Sequence, residues 1–187
     1  MSAYDYRLKH FFRDWRWVIA YVCVIYVTLP IMPPVMNYAA TFLGKVFTFI
    51  PLILLLLSGA LLLYYLVFFL RLRNVLLYGY CAAIFLIALI ILINIKLTVE
   101  RIHIFEYGIL PFLIKPSLIR RNARGPQHIK VFLIGLGIGI IDELIQLMLP
   151  NRFFAVSDIM INGISVLLGV FIVGILDRAR SIKVRIS

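Results

Sequence analysis

The chain has 187 residues, of which 64% are hydrophobic, with a mean hydropathy of +1.05 and a net charge of +11. Soluble domains carry about 45–50% apolar residues, so this composition excludes an ordinary water-soluble domain and places the chain in a bilayer. The charge does not indicate nucleic acid, because the basic residues sit between long apolar runs rather than on one face or in one domain.

In chain order, Arg7, Lys9, Arg13 and Arg16 precede the first apolar run, 17–36. No small-residue cleavage site follows it; the next residues are Leu29-Pro30-Ile31-Met32-Pro33-Pro34. The run therefore reads as a retained span rather than a removed signal peptide. Segments 46–70 and 75–95 are also long enough to cross, since a spanning helix needs about 20 mostly apolar residues. Cys23 and Cys81 lie inside these runs and read as inert buried thiols. Trp15, Trp17, Tyr64, Tyr65, Tyr78 and Tyr80 read as interface or packing aromatics. Segments 129–149 and 153–176 qualify with polar residues inside them.

Segment 99–119 is irregular, carrying Glu100, His103, Glu106, Pro111 and Pro116. Lys and Arg favour cytoplasmic loops, and this decides whether it crosses. With six crossings and an internal N-terminus, 15 of the 19 Lys and Arg lie inside; without this crossing only seven do. The expected fold is all-α: an integral membrane bundle of six transmembrane helices in one domain, 1–187, with both termini cytoplasmic. Three apolar helices fall within 17–95 and three polar-bearing helices within 99–176. Residues 115–130 read as a solvated cytoplasmic loop, and Lys45, Lys96, Arg101 and Arg152 remain outside. The polar residues then start the fourth helix, finish the fifth and start the sixth, all at the extracytoplasmic face.

Periodicity refines that placement. Gly135, Gly139, Asp142 and Gln146 share one helical face, with Glu143 beside it. Asp158, Asn162, Ser165 and Gly169 repeat the pattern in the opposite direction. Small residues four apart let helices approach closely. Antiparallel neighbours joined by the turn at Pro150-Asn151-Arg152 would set Asp142 and Gln146 opposite Asp158 and Asn162. No strand precedes the Gly135-x-Gly137-x-Gly139 run, so it is not a phosphate loop. Glu100, His103 and Tyr107 share a face, with Glu106 about 60° round from His103.

Charges inside a membrane are costly unless paired or hydrated. Glu100, Glu106, Asp142, Glu143 and Asp158 gather with only Arg101, Arg152 and a protonated His103 as local cations. Protonated carboxyls, entering water or a bound cation would each relieve the excess. A divalent cation is the one cofactor this donor set suggests, and oxygen ligands favour a hard ion over zinc.

These residues carry a family resemblance. The run Glu100-Arg101-Ile102-His103-Ile104-Phe105-Glu106-Tyr107-Gly108, then Asp142-Glu143-Leu144-Ile145-Gln146, Pro150-Asn151-Arg152, Asp158-Ile159-Met160-Ile161-Asn162 and Gly169 resemble the VanZ-like membrane family. The match covers about residues 99–176. Asn151 and Ser165 stand where that family commonly has Gly. The resemblance implies a bacterial-type cell envelope and a link to glycopeptide (teicoplanin) resistance, without fixing an activity.

The leading expectation is an outward-facing polar pocket that handles a lipid-linked or envelope substrate. Its binding wall would be Gln146, Asp158, Asn162, Glu100 and Glu106, with Arg152 meeting an anionic group such as phosphate. Membrane lipids with anionic head groups are the expected partners. One alternative is an intramembrane enzyme acting on a lipid head group, with His103 as proton shuttle and Asp142 or Glu143 as base or metal ligand. Another is a structural or partner-binding subunit whose polar network holds the bundle.

Overall fold

The computed structural model describes residues 3–95, 97–120, 125–150, 152 and 154–186, and all regular structure among them is helical. Lys96, Arg121, Arg124 and Asn151, which enter the charge and turn arguments above, lie outside the described residues, as do the side chains of Arg7, Lys9 and Arg185.

The first apolar run is not one helix. α1 (Ala3–Thr28) ends early, and α2 (Met32–Leu43) leaves it at 71°. Pro30 has no N–H and its ring clashes with the carbonyl four residues back, while the residue before a proline is pushed out of the helical region. Thr28 Oγ1 donates to the Val24 and Ile25 carbonyls at 2.8 and 2.9 Å, closing α1. A proline in the first turn of α2 is harmless, because no N–H is needed there. α2 buries no side chain.

α3 (Lys45–Tyr64) starts after Gly44, whose φ of +54° suits glycine, and continues through a π-turn, Tyr65–Phe69. Lys183 Nζ donates to the Phe69 carbonyl at 3.1 Å at the end of that turn. α4 (Val75–Asn94) is capped by Asn74, whose side chain accepts the Leu77 N–H at 3.1 Å. α5 (Thr98–Arg120) runs unbroken through Pro111 and Pro116, so the irregular segment does form a membrane-length helix. α6 (Gln127–Leu147) and α7 (Val156–Ile186) complete the bundle.

Four helices are long and apolar enough to cross a membrane: α3 with its π-turn, α4, α5 and α7. The number becomes five if the bent pair α1–α2 is one broken span, against the six expected. α6 is not among them; Lys130, Asp142 and Glu143 all lie in it.

Contacts at the two ends show how the helices alternate. At one end, Arg120 Nη2 donates to the Asp14 carbonyl at 2.8 Å, and the Lys115 ammonium pairs with Asp177. At the other, the Ala155 N–H donates to Glu143 Oε2 at 3.4 Å, and Thr28 shares a small cavity with His103. α5 and α7 are therefore parallel, and α1 and α6 run against them. Two expectations change here. Residues 115–130 are not simply a loop, because α5 continues to Arg120 and Lys115 is buried against Asp177. Cys23 is exposed on α1 rather than buried; Cys81 is buried, and neither forms a disulfide.

Small residues set the packing. Gly135, Gly139, Asp142 and Gln146 are all buried, as their shared face requires. A Cβ at Gly139 would lie 2.9 Å from Asn162 Cβ, and one at Gly135 2.6 Å from Val166 Cγ1. The α7 stripe divides between two neighbours. Asn162 faces α6, whereas Gly169 faces α5, where a Cβ would overlap the Gly108 carbonyl and lie 2.9 Å from Pro111 Cγ. Overpacking a close contact costs about 1–3 kcal/mol. Gly169→Ala is expected to lower the thermal midpoint in detergent, followed by circular dichroism, whereas Gly137→Ala, which meets nothing within 4 Å, should leave it unchanged or slightly raised.

Candidate functional site

The end of the bundle away from Lys115 collects polar side chains from α5, α6 and α7. Their burial follows from the faces described above: the small-residue faces that hold the helices together continue into polar ones. On α6, Gln146 Nε2 donates to Asp142 Oδ2 at 3.2 Å and to Glu143 Oε1 at 3.0 Å. One amide thus bridges two carboxyls. Glu143 Oε2 in turn accepts the Ala155 N–H ahead of α7. Asp142, Glu143 and Asn162 are completely buried.

On α5, His103 Nδ1 lies 3.2 Å from Glu106 Oε2, a charge contact that lacks hydrogen-bond alignment. The His103 and Tyr107 rings lie one turn apart, tilted by 39° with centroids 6.0 Å from each other. The Tyr107 hydroxyl and the Asp142 carboxyl interact across the α5–α6 interface. Even so, Tyr107 Oη, Asp142 Oδ1 and both polar atoms of Asn162 have no partner at hydrogen-bond geometry among the described residues. A buried polar group left unsatisfied costs about 1–3 kcal/mol. Such orphaned groups are where ordered water or a polar ligand bonds.

The remaining expected residues form a rim. Glu100, Asp158 and Arg152 are partly exposed. Asp158 acts electrostatically on Glu100, His103 and Glu143, so the carboxylates do converge. Arg152 lines a cavity of about 20 Å³ with His103, Glu106, Thr28 and Met32, at the elbow between α1 and α2. That is room for a single water. Arg101 does not serve as a local cation: its Nε donates to the Ile95 carbonyl at 2.9 Å and its Nη1 to the Thr48 carbonyl at 3.5 Å. Among the described residues, no three His, Cys, Asp or Glu side chains are grouped to hold a metal ion.

Three features escaped the sequence reading. Tyr21 Oη of α1 donates to the Glu106 carbonyl at 3.0 Å, and Tyr26 Oη to the Ile138 carbonyl at 2.8 Å. The available signal was a tyrosine hydroxyl in mid-run, which needs a partner when buried. Tyr107 was placed on the His103 face but not in the binding wall. The third feature is an apolar groove of about 390 Å³ between α3, α4, α5 and α7, bordered by Ser58, Phe85, Ile104, Gly108, Ser165 and Gly169. On α5 and α7 it is lined from the side that faces α3 and α4, and it includes neither Tyr107 nor Asn162.

Two leucine substitutions separate connected from unconnected groups. Gln146→Leu strips two buried carboxyls of their shared donor and should lower stability by about 1–3 kcal/mol. Asn162→Leu removes a side chain of similar size whose polar atoms have no partner, and should be neutral or stabilising. Thermal unfolding of both variants in one detergent checks the contrast. No family model, characterised protein or solved structure matches this chain.

Proposed function

We propose that this chain is a cell-envelope membrane protein that takes the polar head of a lipid-linked envelope substrate into the buried cluster from the extracytoplasmic side. The observation that carries the reading is the set of buried polar atoms on Tyr107, Asp142 and Asn162 that have no hydrogen-bond partner among the described residues. A purely structural network would satisfy its members. A polar head could bond these atoms. Arg152 at the rim suits an anionic group such as phosphate.

The topology in this proposal has six crossings: α1, α3, α4, α5, α6 and α7. α2 lies across the outer surface, in keeping with its 71° bend and its lack of buried side chains. α6 counts as a crossing because it packs along α7 from Gly135 to Gly139 despite its three charges. The excess of Lys and Arg at the Lys115 end supports a cytoplasmic location for that end. The VanZ-like motifs extend the reading to glycopeptide resistance, measurable as altered teicoplanin susceptibility.

The contact between His103 and Glu106 favours a second reading, an intramembrane enzyme in which the carboxylate orients the imidazole for proton transfer. One experiment addresses both. Protein in nanodiscs is mixed with a polyprenyl-pyrophosphate-linked saccharide and the retained probe is measured. Wild type should retain it, and Arg152→Gln and Asn162→Leu should each weaken retention about tenfold, the loss of one charge-assisted or buried hydrogen bond. Equal retention by folded variants and wild type would remove the proposal. Conversion of the probe, lost in His103→Gln, would select the enzyme.

A further inference from the structure

The opposite end of the bundle holds a second cavity, about 470 Å³ in volume, between the starts of α4 and α6 and the last third of α7. Its polar lining is Asn74, His128 and Arg178, and its apolar lining includes Leu77, Tyr80 and Phe171. Phe171 lies two turns inward of Arg178 on α7, about 10 Å at the helical rise. The cavity is therefore polar at the mouth and apolar at depth, like a phospholipid entering by its tail.

The charges at the mouth are unbalanced. Asp177 is taken by Lys115, and Asp14 lies beside Arg13 and Arg120. Arg178 is exposed and has no ion-pair partner among the described residues. Lys115 Nζ lies 3.4 Å from His128 Nε2. An ammonium can only donate, so Nε2 accepts and the imidazole proton resides on Nδ1, leaving a second donor. Arg71, Arg73, Arg180 and Lys183 add positive charge at the same end. The N-termini of α4 and α6 open there too, and helix N-termini favour anions. Gly174 keeps the cavity clear: a Cβ there would meet His128 Cε1 at an ordinary 3.7 Å, but a longer side chain would fill the space.

The geometry points to a binding site for one anionic phospholipid, its phosphate held by Arg178 and His128 and its acyl chains against Leu77, Tyr80 and Phe171. Basic pockets between transmembrane helices bind anionic head groups by this chemistry. The site is separate from the polar cluster and needs only that the bundle sits in a bilayer.

The test uses the full chain in nanodiscs containing equal phosphatidylglycerol and phosphatidylcholine, with retained lipid read by native mass spectrometry. Wild type should retain phosphatidylglycerol in preference. Arg178→Gln should reduce the preference about tenfold, the loss of one charge-assisted hydrogen bond. Gly174→Leu should abolish retention at this site, and Gly137→Ala, in open space on α6 and outside this cavity, should leave it unchanged. Equal retention of the two lipids by wild type, or a preference unaltered in both Arg178→Gln and Gly174→Leu, would overturn the site. Displacement of phosphatidylglycerol by inorganic phosphate would reassign it to a soluble anion and equally overturn the lipid proposal.

Discussion

The close approach of α7 to α5 is the contact on which the rest of the structure depends. Gly169 lies against the Gly108 carbonyl with no room for a Cβ. Because the two helices are parallel, one contact brings Asp158 near Glu100 and His103 at one end and Asp177 onto Lys115 at the other. α6 then fits against α7 through Gly135 and Gly139, which carries Asp142, Glu143 and Gln146 to the same end as His103. In a bilayer, polar groups must find partners within the protein. A helix trio packed this closely can bury a cluster of carboxyls that lipid would not tolerate.

The two ends differ in what their charges can do. Near His103 acidic groups are in excess, deeply buried, and incompletely bonded. Near Lys115 the carboxylates are matched, and the surplus is basic and exposed. The first arrangement suits neutral hydrogen-bonding partners, with Arg152 at its rim for an anionic group. The second selects anions at a surface. The two proposed sites therefore lie at opposite ends of the bundle and share no lining residue.

Much of this was legible in the sequence where a single helix decides the outcome. The burial of Gly135, Gly139, Asp142 and Gln146 follows from their spacing alone. The boundaries of α4 followed from its apolar length. What failed depended on partners distant in the chain. Periodicity says which residues share a face but not which neighbour the face meets, so the contact of Gly169 with Gly108 on α5 was not legible in it. Lys115 read as a loop residue because its partner, Asp177, is on another helix. Arg101 read as a carboxylate partner, yet the start of α5 places it beside the Ile95 and Thr48 carbonyls. Apolarity outweighed Pro30, and the break between α1 and α2 was read through. Tyr21 and Tyr26 drew no reading, although their hydroxyls tie α1 to α5 and α6. The groove and both cavities arise only from assembly, and no local pattern announces them.

The central claim is that the buried cluster is built around a bonding partner that the protein itself does not supply. An experimental structure in lipid nanodiscs, at a resolution that shows ordered water, tests this most directly. The account predicts density within hydrogen-bond distance of Tyr107 Oη, Asp142 Oδ1 and the Asn162 amide, as water or as the polar head of a lipid. Direct, well-aligned hydrogen bonds among those three side chains, with nothing between them, would contradict it and make the cluster a closed structural network.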